Sequence, residues 1–190
     1  MFKELIERIA EALDHSNLPY MIIGGQAVLY YGEPRFTKDV DITLGVGTAA
    51  LREVLCLVTK LNLSPLIKGI EDFVNKTMVL PTQDDSTGIR VDFIFSHSPY
   101  ERHAIERARD VKFGAISVKI ASLEDVVIHK IVAGRARDIE DVKNILLKNP
   151  DYDKGYIAHW LKRFDESLGG GFLKVFEEIE YQIRSAMSPS

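Results

Sequence analysis

The stretch Ile22-Ile23-Gly24-Gly25 is followed, after thirteen intervening residues, by Asp39-Val40-Asp41. Two apolar residues that lead into two glycines and then into Gln26-Ala27-Val28-Leu29 predict a buried strand, a tight turn and the first turn of a helix. Glycine lets a large anion approach the backbone, and a helix that begins there directs unpaired N–H groups and its positive dipole end outward. This turn is therefore suited to bind a phosphate chain.

The second half of the stretch has the pattern of a strand, because polar and apolar residues alternate from Thr37 to Leu44. Alternation places Asp39 and Asp41 on one face of that strand and the apolar residues on the other. Two carboxylates on one face can hold a divalent cation between them. Each half also has a simpler interpretation, since a Gly-Gly pair often makes an ordinary turn and an Asp-x-Asp pair often lies on a solvated face.

A third carboxylate, Asp92, interrupts the apolar and strongly β-forming run Ile89–Phe95. Burying an unpaired charge costs several kcal/mol as a rough estimate, so an acid in such a strand needs a partner. A metal ion is one candidate partner. An ion pair with Arg90 or Arg35 is the other.

Three blocks of sequence together resemble a known family. They are Gly24-Gly25-Gln26-Ala27, Pro34-Arg35-Phe36-Thr37-Lys38-Asp39-Val40-Asp41 and Lys130-Ile131-Val132-Ala133-Gly134-Arg135-Ala136-Arg137-Asp138-Ile139-Glu140-Asp141-Val142. The glycine pair, the Asp-x-Asp and the later strand aspartate resemble the active-site signature of the polymerase-beta-like nucleotidyltransferases. More narrowly, the blocks are similar to small bacterial and archaeal members related to the abortive-infection (AbiEii-type) nucleotidyltransferase toxins. The resemblance covers roughly residues 20–147.

This resemblance implies an α/β (α+β) nucleotidyltransferase fold, with a mixed sheet flanked by helices and a helical C-terminal part. It implies a metal-dependent enzyme that moves an NMP from an NTP, such as ATP, to a hydroxyl of an RNA (for example tRNA) or of a protein. Two Mg²⁺ ions, with Mn²⁺ as the alternative, would be held by the catalytic residues Asp39, Asp41 and Asp92. Nucleotide binding would involve Gly24, Gly25, Arg35, Thr37, Lys130 and Arg135.

Three questions stay open from the sequence: the role of Lys130, the partners of Asp138 and Asp141, and whether the protein is an enzyme. Lys130 could reach the phosphates, as the resemblance implies, or extend its ammonium group to water along a packed stem. Asp138 and Asp141 fall one helical turn apart and could pair with Arg135, Arg137 or Lys130. The rival to an enzyme is an antitoxin or regulatory binding protein with the same fold, little or no catalysis and a cognate partner protein.

Length and composition predict one domain with an appendage. A chain of 190 residues with 46% apolar residues can bury a core, and Asn149-Pro150 suggests a division into a nucleotidyltransferase domain, 1–148, and a helical appendage, 149–190.

The net charge of −4 argues against nonspecific coating of nucleic acid. Residues 102–137, however, carry eight basic residues against four acidic ones, which is either a local positive surface or ordinary surface charge. The oligomeric state is left open.

The single cysteine, Cys56, excludes an intrachain disulfide and is expected to be buried on the apolar face of a helix. The chain starts with an amphipathic segment, and no apolar run approaches the length of a membrane span. A cytoplasmic protein is expected.

Periodicity and turn residues predict the remaining elements. Helices are expected from Phe2 to Leu13, from the Gly-Gly turn to Tyr31, after a Thr48 cap, from Ser98 to about Arg109, from Ser122 to Gly134, and on either side of Gly169-Gly170-Gly171. Hairpins are expected for 78–80 with 89–95 and for 111–113 with 116–120, whereas 64–76 has no clear pattern apart from a short helix near Ile70.

Overall fold

The computed structural model describes residues 2–34, 36–96 and 98–187. The helices in this part of the chain are α1 (Phe2–His15), α2 (Gly24–Tyr31), α3 (Leu51–Lys60), α4 (Ile70–Thr77), α5 (Pro99–Glu106), α6 (Leu123–Ala133), α7 (Ala136–Lys148), α8 (Lys154–Leu168) and α9 (Phe172–Met187). The strands are β1 (Tyr20–Ile23), β2 (Asp39–Leu44), β3 (Leu63–Pro65), β4 (Val79–Asp84), β5 (Arg90–Phe95), β6 (Arg109–Phe113) and β7 (Ile116–Ile120).

The described strands form one sheet in the order β3-β4-β5-β2-β1-β7-β6. The pairs β2/β5 and β1/β7 are parallel, and the other neighbouring pairs are antiparallel. A mixed sheet with helices and a helical C-terminal part is the predicted fold class, which is thus confirmed.

The central strands β2 and β5 each have one fully buried face. Val40, Ile42 and Leu44 are at most 1% exposed, and Val91, Phe93 and Phe95 of β5 are buried to the same degree. The alternate residues of both strands, which include all three predicted catalytic aspartates, lie on the opposite face. The apolar face anchors the two strands, so the acids on the other face have a rigid support.

The structure confirms the pairing of the predicted hairpins and most of the predicted helices. Some bounds differ, because β4 extends to Asp84, α5 ends at Glu106 and β6 begins at Arg109. Three other features also differ from the prediction. The short edge strand β3 was not predicted, because three residues that include Pro65 carry little pattern. α2 includes both glycines instead of beginning after them. Thr48 does not cap α3: it opens the 3₁₀ turn Thr48–Ala50, and Ala50 precedes the helix without a side-chain cap.

The prediction of a buried thiol was wrong, because Cys56 is exposed. The buried face of α3 is formed by Val54, Leu57 and Val58. Residue 56 is two positions from Val54 and from Val58, which is about 200° around a helix, so its side chain points away from that face.

Two compact units account for the chain. Unit 1 comprises Met1–Ala27 and Phe36–Ser122 and contains the whole sheet with α1, α3, α4 and α5. Unit 2 comprises Val28–Arg35 and Leu123–Ser190 and contains α6, α7, α8 and α9. The division predicted at residue 148 falls inside unit 2, and a functional boundary there stays a prediction.

Hydrogen bonds from the C-terminal end of α7 connect the two chain segments of unit 2. Lys148 Nζ donates a 2.9 Å hydrogen bond to the Gly32 carbonyl, and Asn149 Nδ2 donates one of 2.9 Å to the Tyr31 carbonyl. These bonds satisfy carbonyls at the C-terminal end of α2, where the last carbonyls of a helix have no N–H donor within the helix. Among the described residues, no helix is both long enough and apolar enough to cross a membrane.

Candidate active site

The three predicted catalytic aspartates lie on adjacent strands and on one face of the sheet. β2 and β5 pair in parallel with Asp41 directly opposite Asp92 and Asp39 opposite Arg90. Directly paired residues of neighbouring strands point to the same side, and residues two apart on one strand do so as well. Three carboxylates and one guanidinium therefore share this face.

Gly24 makes room for the carboxylate of Asp41. Its φ of +62° is a conformation that side chains rarely adopt. A Cβ at this position would overlap Asp41 Oδ2 and lie 2.8 Å from Asp41 Cγ. The glycine at the start of α2 is therefore required by the backbone and by the close approach of a predicted metal ligand. The neighbouring Gly25 is buried in the first turn of the same helix.

Thr37 orients the first aspartate. Its hydroxyl donates a 3.1 Å hydrogen bond to Asp39 Oδ1 and lies 3.3 Å from the carbonyl oxygen of Asp39. The sequence predicts Thr37 as a nucleotide contact, which stays a prediction. The observed contact fixes a carboxylate oxygen two residues along the chain.

Arg90 pairs with the third aspartate. Its Nε donates hydrogen bonds of 2.8 Å to Oδ1 and 3.1 Å to Oδ2 of Asp92. The bond to Asp92 raises the pKa of the Arg90 guanidinium, although partial burial opposes it, and the charges of Asp92, Asp39 and Asp41 act in the same direction as the bond. The ion pair that the sequence left as the alternative to a metal is thus present. The sequence indicates this ion pair through the two-residue spacing of Arg90 and Asp92, which puts both side chains on one face of the strand.

The residues at this face fit Mg²⁺ in chemistry, because it is a hard cation that prefers carboxylate oxygens. The Asp41 carboxylate can take its position on this face only because residue 24 is a glycine, since a Cβ there would overlap Asp41 Oδ2. The side chains do not form a closed ligand set. Among the described residues, no three side chains of His, Cys, Asp or Glu are placed to hold one metal ion.

The two other predicted cations lie in unit 2. Lys130 is buried and forms ion pairs of 2.6 Å with Asp138 and 3.0 Å with Asp141. Arg135 Nε contacts Asp138 at 2.5 Å, with most of its side chain exposed. Burial alone would raise the pKa of Asp138, but hydrogen bonds from Arg135 and Lys130 outweigh that effect and lower it. The predicted pairing of these residues is confirmed, and Lys130 does not extend into solvent.

Arg35, predicted as a phosphate contact, lies outside the described residues. Unit 2 contains an open pocket of about 260 Å³, which is lined by Val28, Glu33, Arg137, Glu140, Asp141 and Asn144. None of the predicted catalytic residues is among these lining residues. The register of β2 and β5, and not this pocket, therefore defines the candidate site.

Solved structures share this fold at low sequence identity. A nucleotidyltransferase-like protein from Paracoccidioides brasiliensis, described as antigenic, matches with a TM-score of 0.57 and 17% identity over 91% of this chain and 92% of that one. ANT(2")-Ia in complex with adenylyl-2"-tobramycin matches with a TM-score of 0.52 and 20% identity over 98% of both chains. The lincomycin-bound lincosamide antibiotic adenylyltransferase LnuA matches with a TM-score of 0.52 and 14% identity over 75% of this chain and 94% of that one. These likenesses define the class as the nucleotidyltransferase fold.

A family model gives the narrower assignment. The model described as "Nucleotidyl transferase AbiEii toxin, Type IV TA system" matches residues 5–187. The chain therefore belongs to the AbiEii nucleotidyltransferase toxin family, within the polymerase-beta-like superfamily. No curated protein sequence matches it significantly.

Proposed function

We propose that this protein transfers a nucleoside monophosphate from an NTP to a hydroxyl group of an RNA or protein acceptor in the cytoplasm. The observation that carries the proposal is the pairing of Asp41 with Asp92 on adjacent parallel strands, beside a glycine whose missing Cβ makes room for Asp41. The membership in a toxin family of nucleotidyltransferases supports the reaction class.

In this proposal Asp39, Asp41 and Asp92 hold Mg²⁺ or Mn²⁺, two ions being expected from the resemblance. Bound ions would lower the pKa of the acceptor hydroxyl and stabilise negative charge on the α-phosphate and on the departing pyrophosphate. Thr37 keeps Asp39 oriented through the 3.1 Å hydrogen bond to its carboxylate.

The glycines contribute through the backbone. The first N–H groups of a helix lack helical acceptors, and the helix dipole is positive at that end. Gly24 and Gly25 begin α2, so we propose that their N–H groups contact the triphosphate. Lys130, Arg135 and Arg35 remain proposed phosphate contacts on the resemblance alone.

Replacement of Asp41 by asparagine tests the proposal. Asn keeps the size of the side chain but removes the charge that a cation needs, so we expect transfer to fall by at least about 100-fold with little change in the melting temperature. The measurement is the transfer of label from each [α-³²P]NTP, with Mg²⁺, to the RNA or protein fraction of a cell extract. Asp110→Asn is the matched control, because Asp110 pairs with Lys119 at 3.0 Å on the edge strand β6.

The outcomes separate the enzyme from its rival. Label in RNA or in protein identifies the acceptor class, and label in a small molecule redirects the proposal to the kind of acceptor named for the antibiotic-modifying neighbours. Equal transfer by wild type and Asp41→Asn contradicts the proposed site. Absence of transfer with every NTP, together with a tightly co-purifying protein, favours the antitoxin or regulatory alternative.

A further inference from the structure

Arg90 occupies a special position among the charged residues of the sheet. The paired positions 39, 41, 90 and 92 carry three aspartates and one arginine. Like charges placed directly opposite on neighbouring strands destabilise a sheet, and here Asp41 is opposite Asp92. The guanidinium on the same face reduces that repulsion.

The contact between Arg90 and Asp92 engages both carboxylate oxygens. Nε lies 2.8 Å from Oδ1 and 3.1 Å from Oδ2, and the side chain of Asp92 is only 15% exposed, against 52% for Arg90. A metal ion shared with Asp41 would need at least one of these oxygens. The guanidinium and the metal therefore compete for the same ligand atoms.

Release of Arg90 is easy on structural grounds. Half of its side chain faces solvent, so water weakens the ion pair and can hydrate the guanidinium once it is released. A divalent cation carries twice the charge of the guanidinium and prefers carboxylate oxygens, so it can take its place at Asp92. The released guanidinium can remain in solvent, and the cation then compensates the charge of Asp92, whose side chain is only 15% exposed.

We infer that Arg90 is a positioning residue that acts as the counter-ion of Asp92 in the metal-free protein and competes with the metal ion for that carboxylate. The inference rests on the proposed function, because it takes Asp92 as a metal ligand. The metal-free sheet is stabilised by the guanidinium, and the loaded sheet is stabilised by the cation.

Binding of Mn²⁺ to the full chain, measured by electron paramagnetic resonance, tests the inference without any transfer reaction. Arg90→Gln removes the competitor, so we expect Mn²⁺ to bind roughly three- to tenfold more tightly than to wild type. Arg109→Gln is the matched control, because it removes an exposed arginine from the edge strand β6. It measures the effect of net charge alone and is expected to change the affinity by less than about twofold.

Thermal unfolding supplies a second readout. In metal-free buffer we expect Arg90→Gln to melt at a lower temperature than wild type, and saturating Mn²⁺ should remove or reverse that difference. A purely structural role would lower both melting temperatures equally. Should Arg90→Gln not fold, Arg90→Lys keeps the charge but loses the two-oxygen contact, and it is expected to bind Mn²⁺ at least about twofold more tightly than wild type.

Weaker or unchanged Mn²⁺ binding by the Arg90 variants, while wild type binds and Asp41→Asn does not, overturns this inference and leaves the proposed function intact. Equal Mn²⁺ binding by wild type and Asp41→Asn, or none by either, overturns both, because the aspartates would not be the metal ligands.

Discussion

A single missing Cβ controls the geometry around Asp41. Gly24 combines a positive φ with the close approach of the predicted metal ligand. Asp41 has a short side chain, so an intruding methyl group would displace the carboxylate more readily than the backbone. The glycine at position 24 thus allows both the left-handed backbone conformation and the observed position of the Asp41 carboxylate.

Gly24→Ala is expected to abolish transfer and to lower the free energy of unfolding by about 1–2 kcal/mol, the cost of a left-handed conformation for alanine. Gly69→Ala is the matched control, because Gly69 has a φ of +64° but no atom within 4 Å of the position that a Cβ would take. It should lose similar stability and keep full transfer. Urea unfolding and the labelled-NTP assay measure the two effects, and equal activity of both variants would contradict the role given to Gly24.

At the level of elements, an ion pair connects α1 to the end of β4. Arg8 Nη2 contacts Asp84 Oδ1, and Asp84 is fully buried. Its other oxygen accepts 2.6 Å hydrogen bonds from the hydroxyls of Ser86 and Thr87 and one of 2.9 Å from the Thr87 amide. The sequence predicts a strand that ends at residue 80, which leaves Asp84 in the connection of the hairpin, but β4 extends to Asp84 and buries it.

This arrangement has a consequence for stability at low pH. Burial alone would raise the pKa of Asp84, but the hydrogen bonds from Ser86, Thr87 and Arg8 outweigh it and lower the pKa to about 2. The folded-state pKa lies below the unfolded value, so the ionised carboxylate contributes its stability above pH ~4 and loses it as the pH falls from ~4 to ~2. That contribution is on the order of 2 kcal/mol.

We expect Asp84→Asn to be about 2 kcal/mol less stable than wild type at pH 7, with the difference shrinking as the pH is lowered from ~4 towards ~2. Denaturant unfolding at several pH values measures this. Asp110→Asn removes a largely exposed carboxylate, paired with Lys119, and should change stability by less than about 0.5 kcal/mol throughout. A difference for Asp84→Asn that does not depend on pH would assign its effect to packing alone.

At the scale of the whole chain, the C-terminal helices belong to the core of unit 2. Ile157, Leu161, Phe176 and Ile179 of α8 and α9 are at most 2% exposed. Tyr156 donates a 2.8 Å hydrogen bond to the buried carboxylate of Asp125 on α6. The packing of unit 2 therefore depends on residues beyond 148.

A chain that ends at Lys148 tests the division predicted from Asn149-Pro150. We expect it to aggregate or to lack a cooperative thermal transition, because truncation exposes the apolar face of α6 and removes the Tyr156 donor. A chain that ends at Met187 is the control and should unfold as wild type does. A soluble 1–148 chain with a cooperative transition and transfer activity would instead establish that segment as an independent domain.

Local spacing in the sequence is sufficient to predict many of the helices and strands of this protein and one face of β2 at the candidate site. The alternation in β2 put Asp39 and Asp41 on one face, the glycine pair marked the start of α2, and turn residues located both hairpins, because these features depend on neighbours a few residues apart. The resemblance of the three sequence blocks identified the family.

Only the tertiary structure decided how distant residues meet. The register that puts Asp41 beside Asp92 and the burial of Lys130 between two aspartates both follow from it. Contacts between residues far apart in the chain depend on which strands pair and on the loops between them, and no periodicity within one strand or helix specifies that pairing.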